Sequence, residues 1–165
     1  MKKVFALSAL AVVLASSTVL ADTSGKKIAF SNNYAGNSWR QAMLNSYDIV
    51  SKKAVADKVV GTADVFTTAD KEVPTQAAQI QNLILQGYDA IVINAASPDA
   101  LNGAIKQACD AGITVVSFDG TVTEPCAYRV VVDFKDMGKQ ATPNQVHGQP
   151  KFRISKACSF FGQHN

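Results

Sequence analysis

Two short runs constrain what this chain can fold into. DAIVIN, residues 89–94, and GITVVSFDG, residues 112–120, carry almost no polar alternation. A strand with one wetted face alternates, whereas a strand covered on both faces does not. Each run follows a helical stripe. Pro74 opens one helix at its first turn, where a missing N–H costs nothing. Its stripe is Ala77, Ile80, Leu83 and Ile84, and it stops at Gly87. Ser97-Pro98 reads as the N-cap and first-turn proline of the next helix, which runs through Leu101, Ile105 and Ala108 to Gly112. Upstream, Lys27–Ser31 and Val59–Thr67 are strand candidates around a helix from Ser38 to Ala56, with Trp39, Met43, Tyr47 and Val50 on one face. Arg129–Asp133 is a shorter fifth strand. The alternation predicts a three-layer α/β/α fold with an open parallel sheet.

Open sheets of this class bind ligands beyond the carboxyl ends of their strands. That edge collects Asn32, Asn33, Tyr34, Asn37, Trp39 and Arg40 after the first strand, Asn94 after the third and Asp119 after the fourth. A carboxylate accepts hydroxyl protons, an amide both donates and accepts, and Arg donates through a rigid fork. An indole offers a flat face to C–H groups. The set suits a polyol. Plainer readings stand beside it: Asp119-Gly120 and Asn94 also read as turn chemistry, and Trp39 on its helical stripe reads as core packing.

The N-terminus carries Lys2 and Lys3, an apolar stretch from Val4 to Leu14 and small residues before Asp22. This is the layout of a secretory signal peptide cleaved after Ala21, and it is too short to span a membrane. A free exported protein without stable membrane insertion is expected. Removing Lys2 and Lys3 lowers 16 basic residues to 14 against 13 acidic ones, so charge does not indicate nucleic-acid binding.

Four segments, KIAFSNNYAGNSWRQAM, YDAIVINAASPDAL, AGITVVSFDG and VVVDFKDMGKQ, resemble the exported sugar-binding proteins of ABC transporters, the ribose- and galactose-type periplasmic binding proteins of type 1. The resemblance covers about residues 26–140, most of a first lobe. It implies a monosaccharide held between two α/β lobes and delivered in the periplasm to a membrane ABC permease, without a cofactor. It carries ligand-binding roles onto Asn33, Asn37, Trp39, Arg40, Asn94 and Asp119. Where many relatives follow that aspartate with Arg, this chain has Gly120.

Residues 22–140 are thus expected to form the sugar-binding lobe. The segment 141–165 lacks acidic residues, and Pro143 and Pro150 break the helix expected after Gly138. It is read as an aberrant, flexible tail left by a frameshift or premature termination, with a natural tail on a one-lobe variant as the alternative. A single lobe buries little of a small ligand. Weak or absent sugar binding is therefore expected, and a folded but ligand-silent fragment is the rival reading.

Cys109 and Cys126 are separated by one strand and a loop, and an oxidising compartment permits a bridge between them; two buried thiols are the alternative. Cys158, His147 and His164 lie in the tail, and no metal-ligand spacing occurs. The turn SNNYAGNS has one glycine and lacks a dinucleotide fingerprint, and no GxSxG elbow is present. An enzyme is not indicated.

Overall fold

The strand–helix alternation closes into one sheet. The computed structural model describes residues 22–132 and the strand at 152–156. The expected signal peptide, residues 133–151 and residues 157–165, with Cys158 and both histidines, lie outside the described residues. The elements are β1 (Lys27–Asn32), α1 (Ser38–Ala56), β2 (Thr62–Thr67), α2 (Val73–Leu85), β3 (Ala90–Asn94), α3 (Asn102–Asp110), β4 (Thr114–Phe118), β5 (Tyr128–Val132) and β6 (Phe152–Lys156). The strand order is β2-β1-β3-β4-β5-β6. The pairings from β2 to β5 are all parallel.

β6 pairs antiparallel with β5, with Val130 opposite Ile154. It lies in the segment read from sequence as a flexible tail, so the expected division at residue 140 does not hold for the sheet. The physical reason is the open edge of β5, whose unpaired N–H and C=O groups accept any extended segment that reaches them. Phe152-Arg-Ile-Ser155 alternates apolar and polar and ends on Lys156, which suits an edge strand.

Alternate residues of each strand face opposite layers. Ala29, Ile91, Ile93 and Val115 face α2 and α3 and form the main core with Ile80, Leu83 and Ile105. On the other face Phe30 is buried and meets Tyr47 of α1, ring centroids 5.0 Å apart. Gly87 and Gly112 hold φ of +67° and +82° just past α2 and α3, a backbone conformation that terminates helices and favours glycine.

Two helices depart from the sequence reading. α3 begins at Asn102, and Ser97 Oγ accepts from Ala100 N at 3.2 Å, capping a turn ahead of the helix. The Pro98 carbonyl accepts from Thr123 N across the fold at 2.9 Å instead of from the next helical turn. In α1 the sheet-facing line runs through Arg40, Met43, Leu44, Tyr47, Ser51 and Ala54, all partly buried. Trp39 is 52% exposed and Val50 67% exposed. The expected stripe therefore holds at Met43 and Tyr47 and misses at its two ends, where Arg40 and Ser51 stand in place of Trp39 and Val50. At about 100° per residue, Trp39 is turned off the sheet and Arg40 onto it.

Cys109 of α3 and Cys126 ahead of β5 are joined in a disulfide, 17 residues apart in sequence. Closing a loop of that length stabilises by about 3 kcal/mol in the chain-entropy model. Reductant should lower the denaturant midpoint correspondingly. Thiol titration of the unreduced, denatured chain should find one of its three cysteines free, and three free thiols would contradict the bridge.

Candidate ligand-binding site

The carboxyl ends of β1, β3 and β4 bring three loops together. Asn37 begins the first helix as its N-cap, its Oδ1 accepting from Arg40 N at 2.8 Å. That cap sets the entry of α1 and so places Arg40 over the sheet edge. The Arg40 guanidinium donates to Asn32 Oδ1 at 3.1 Å and pairs with Asp119 Oδ2 at 3.1 Å. Asn94 Nδ2 donates to the same Asp119 oxygen at 3.0 Å. The Arg40 side chain is 13% exposed, that of Asp119 46%. A carboxylate is thus held by two donors with much of its surface open to solvent.

Asp119 has φ of +55°, the left-handed region, which costs strain in a residue other than glycine but is tolerated best by Asp and Asn. The next residue explains how the loop can pack there. A Cβ on Gly120 would lie 2.6 Å from the Ala95 carbonyl oxygen and 2.7 Å from Asn94 Oδ1. Only glycine lets the β4 exit lie against the β3 exit, where Ala95 N donates to the Gly120 carbonyl at 2.9 Å.

Asn33 and Asn94 are buried. Asn33 Nδ2 donates to the Ala95 carbonyl at 2.9 Å, so both amides brace the β3 and β4 loops. Each retains one buried carbonyl oxygen without a hydrogen-bond partner. Such atoms are costly to leave unpaired and are found where a structure keeps acceptor capacity in reserve. Trp39 stands beside Arg40, whose guanidinium carbon is 5.2 Å from the indole ring centre. A cleft of about 300 Å³ opens here, lined by Trp39, Phe118, Asp119, Thr121, Val130 and Val132 among others. Apolar surface and an exposed carboxylate therefore meet at one place.

The groups with displaced titration lie elsewhere. Tyr88, just ahead of β3 and so at the opposite edge, is pushed up to about 12 by burial and by the hydrogen bond its hydroxyl donates to Asp64. Asp89 beside it is held below the usual carboxylate range by hydrogen bonds from the Lys26 side chain and the Lys27 backbone. Among the described residues no cluster of His, Cys, Asp and Glu could hold a metal ion.

All six residues singled out from sequence reach this edge, though not in equal roles. Asp119 and Trp39 offer accessible surface, the largely buried Arg40 holds Asp119 from the flank, Asn33 and Asn94 support from below, and Asn37 caps a helix. Sequence reasoning placed Asn32 at this edge but gave it no binding role; this fully buried side chain holds Arg40. Its only sequence signal is an amide closing an apolar strand.

Residues 28–148 match the family model described as a periplasmic binding protein domain. The chain belongs to that family. This periplasmic binding protein chain is 33% identical over 116 residues to a putative rhizopine-binding protein of Rhizobium meliloti, covering 70% of itself and 34% of the relative. It matches a crystal structure of an ABC transporter solute binding protein from Thermobispora bispora with a TM-score of 0.64 and 44% identity, covering 67% of itself and 35% of that chain. A sugar ABC transporter structure from Actinomyces odontolyticus matches at TM-score 0.55 and 26% identity, over 64% of this chain and 33% of that one. The chain thus spans about a third of the length of these relatives. The α/β sheet with its covering helices is the fold of one lobe of the Thermobispora solute binding protein.

Proposed function

We propose that this chain contributes the first lobe of a sugar- or polyol-binding site serving ABC-transporter uptake in the periplasm. One observation carries the reading: a partly exposed carboxylate, Asp119, is held by Arg40 and Asn94 at the sheet edge beside an exposed indole. Asp119 accepts hydroxyl protons, and Arg40 donates from the flank. Trp39 packs on the C–H face of the ring. Asn94 aligns the carboxylate and reaches a hydroxyl itself only when Asp119 turns aside. Asn33 fixes the loop between them. The names of two relatives point the same way, one rhizopine-binding and the other a xylitol-binding protein of Mycolicibacterium smegmatis, 33% identical over 61 residues. The membrane permease of such a system is the expected macromolecular partner.

Affinity should be weak. The carboxylate is hydrated, and hydrogen bonds that only replace those to water contribute little net free energy. The chain has one tryptophan, and it stands at the site. Titration with neutral monosaccharides and polyols should give a saturable change in Trp39 emission at millimolar concentrations, with no response to a dicarboxylate, which Asp119 repels. A flat response to every sugar and polyol would favour the ligand-silent reading.

A further inference from the structure

The stripe of α2 that faces the core contains Gln76, Ile80 and Leu83, all fully buried. A buried amide is unfavourable unless its groups are paired. Here they are. Gln76 Nε2 donates to Ser31 Oγ and to the Asn94 carbonyl, each at 3.0 Å. Its Oε1 accepts from Ala96 N at 2.8 Å. One side chain therefore grips both ends of the three-residue β3 exit. The middle residue, Ala95, is held from the other side by Asn33 Nδ2 and by the Gly120 carbonyl.

We propose that Gln76 is a positioning residue for the ligand site: by clamping the Asn94 carbonyl and the Ala96 N–H, it fixes the direction in which Asn94 presents its amide to Asp119. It touches no ligand and acts from the layer on which α2 packs. The inference rests on the sugar-binding reading of this site for its functional meaning, but its structural half is separate. An apolar residue would fill the stripe equally well, so core packing alone does not call for an amide at this position.

The test compares three variants of the full chain by amide hydrogen exchange, by backbone and side-chain amide resonances, and by the Trp39 response to sugar. Gln76→Met keeps the volume and removes the clamp. Ile80→Val, one turn along the same stripe, lowers stability through packing alone. In Gln76→Met, Ala96 N–H should exchange about tenfold faster than in Ile80→Val, the ratio that one hydrogen bond of ordinary net strength carries. The Asn33 and Asn94 side-chain amides and the Gly120 N–H should shift, and the sugar response should weaken. If Gln76→Met matches Ile80→Val in all of these, the residue is only part of the core and the proposal fails.

Should Gln76→Met not fold, Gln76→Glu decides. Burial favours the protonated acid, so the comparison is made at a pH high enough to ionise it; the carboxylate keeps an oxygen for Ala96 N–H and loses the donor to the Asn94 carbonyl. Ala96 protection should persist while the Asn94 resonances move, and unmoved Asn94 resonances would overturn the proposal. If the parent chain itself gives no sugar response, the functional reading of the site fails instead. The exchange and resonance comparison, made without ligand, then decides the positioning role.

Discussion

Gly120→Ala is expected to lower stability by about 1–3 kcal/mol, the usual cost of forcing a methyl group into a filled space, and to weaken the sugar response with it. The added Cβ would stand 2.6 Å from a carbonyl oxygen and 3.1 Å from the nitrogen of Ala95. These are backbone atoms, so no rotamer change relieves the contact. The β3 and β4 exits would have to separate, breaking the hydrogen bond from Ala95 N to the Gly120 carbonyl. That separation would also move Asn94 away from Asp119. Urea unfolding gives the first quantity and Trp39 titration the second. A variant as stable as the parent would show that the two loops are not in contact in solution.

The second large effect is expected at Asp119. Hydrogen bonds to a charged group contribute about 1.5–3 kcal/mol, and about 1.4 kcal/mol corresponds to a factor of ten. Asp119→Ala removes the one exposed carboxylate of the site and leaves Arg40 paired only with Asn32. Sugar affinity should fall at least about tenfold, while the amide resonances of β1 and β3 stay in place. Asp119→Asn keeps an oxygen that accepts from Asn94 but loses the ion pair, so its loss should be smaller. Solvent screening limits the ion pair's own share, because nearly half of the carboxylate surface is exposed. Equal affinity in Asp119→Ala and the parent would remove the carboxylate from the account.

The sequence carried the architecture because its signals were local. The apolar runs at 89 and 113, Pro74 at a helix start and the glycines at 87 and 112 each act on their own few residues, and the structure keeps all of them. The rule that ligands gather beyond the strand ends then brought Arg40, Asn94 and Asp119 to one edge from three separate segments. What the sequence did not disclose was non-local. Which residue of the first turn of α1 meets the sheet depends on where the Asn37 cap sets the helix, and there Arg40 faces inward where Trp39 was expected. The late start of α3 depends on Thr123 binding Pro98. The need for glycine at 120 depends on Ala95, which lies 25 residues earlier. Gln76 and Asn32 look like polar interruptions of apolar patterns until their partners are known. β6 was missed because a four-residue alternation carries little weight without the open edge it joins.

The most direct test of the sugar site is an amide-resonance titration of the full chain with neutral monosaccharides and polyols. The account predicts saturable shifts concentrated at the Trp39 indole N–H, the Arg40 guanidinium, the Asn94 side-chain amide and the backbone of Asp119 and Gly120, with the Tyr88–Asp89 edge unmoved. Shifts spread evenly over the surface, or centred on that opposite edge, would contradict it.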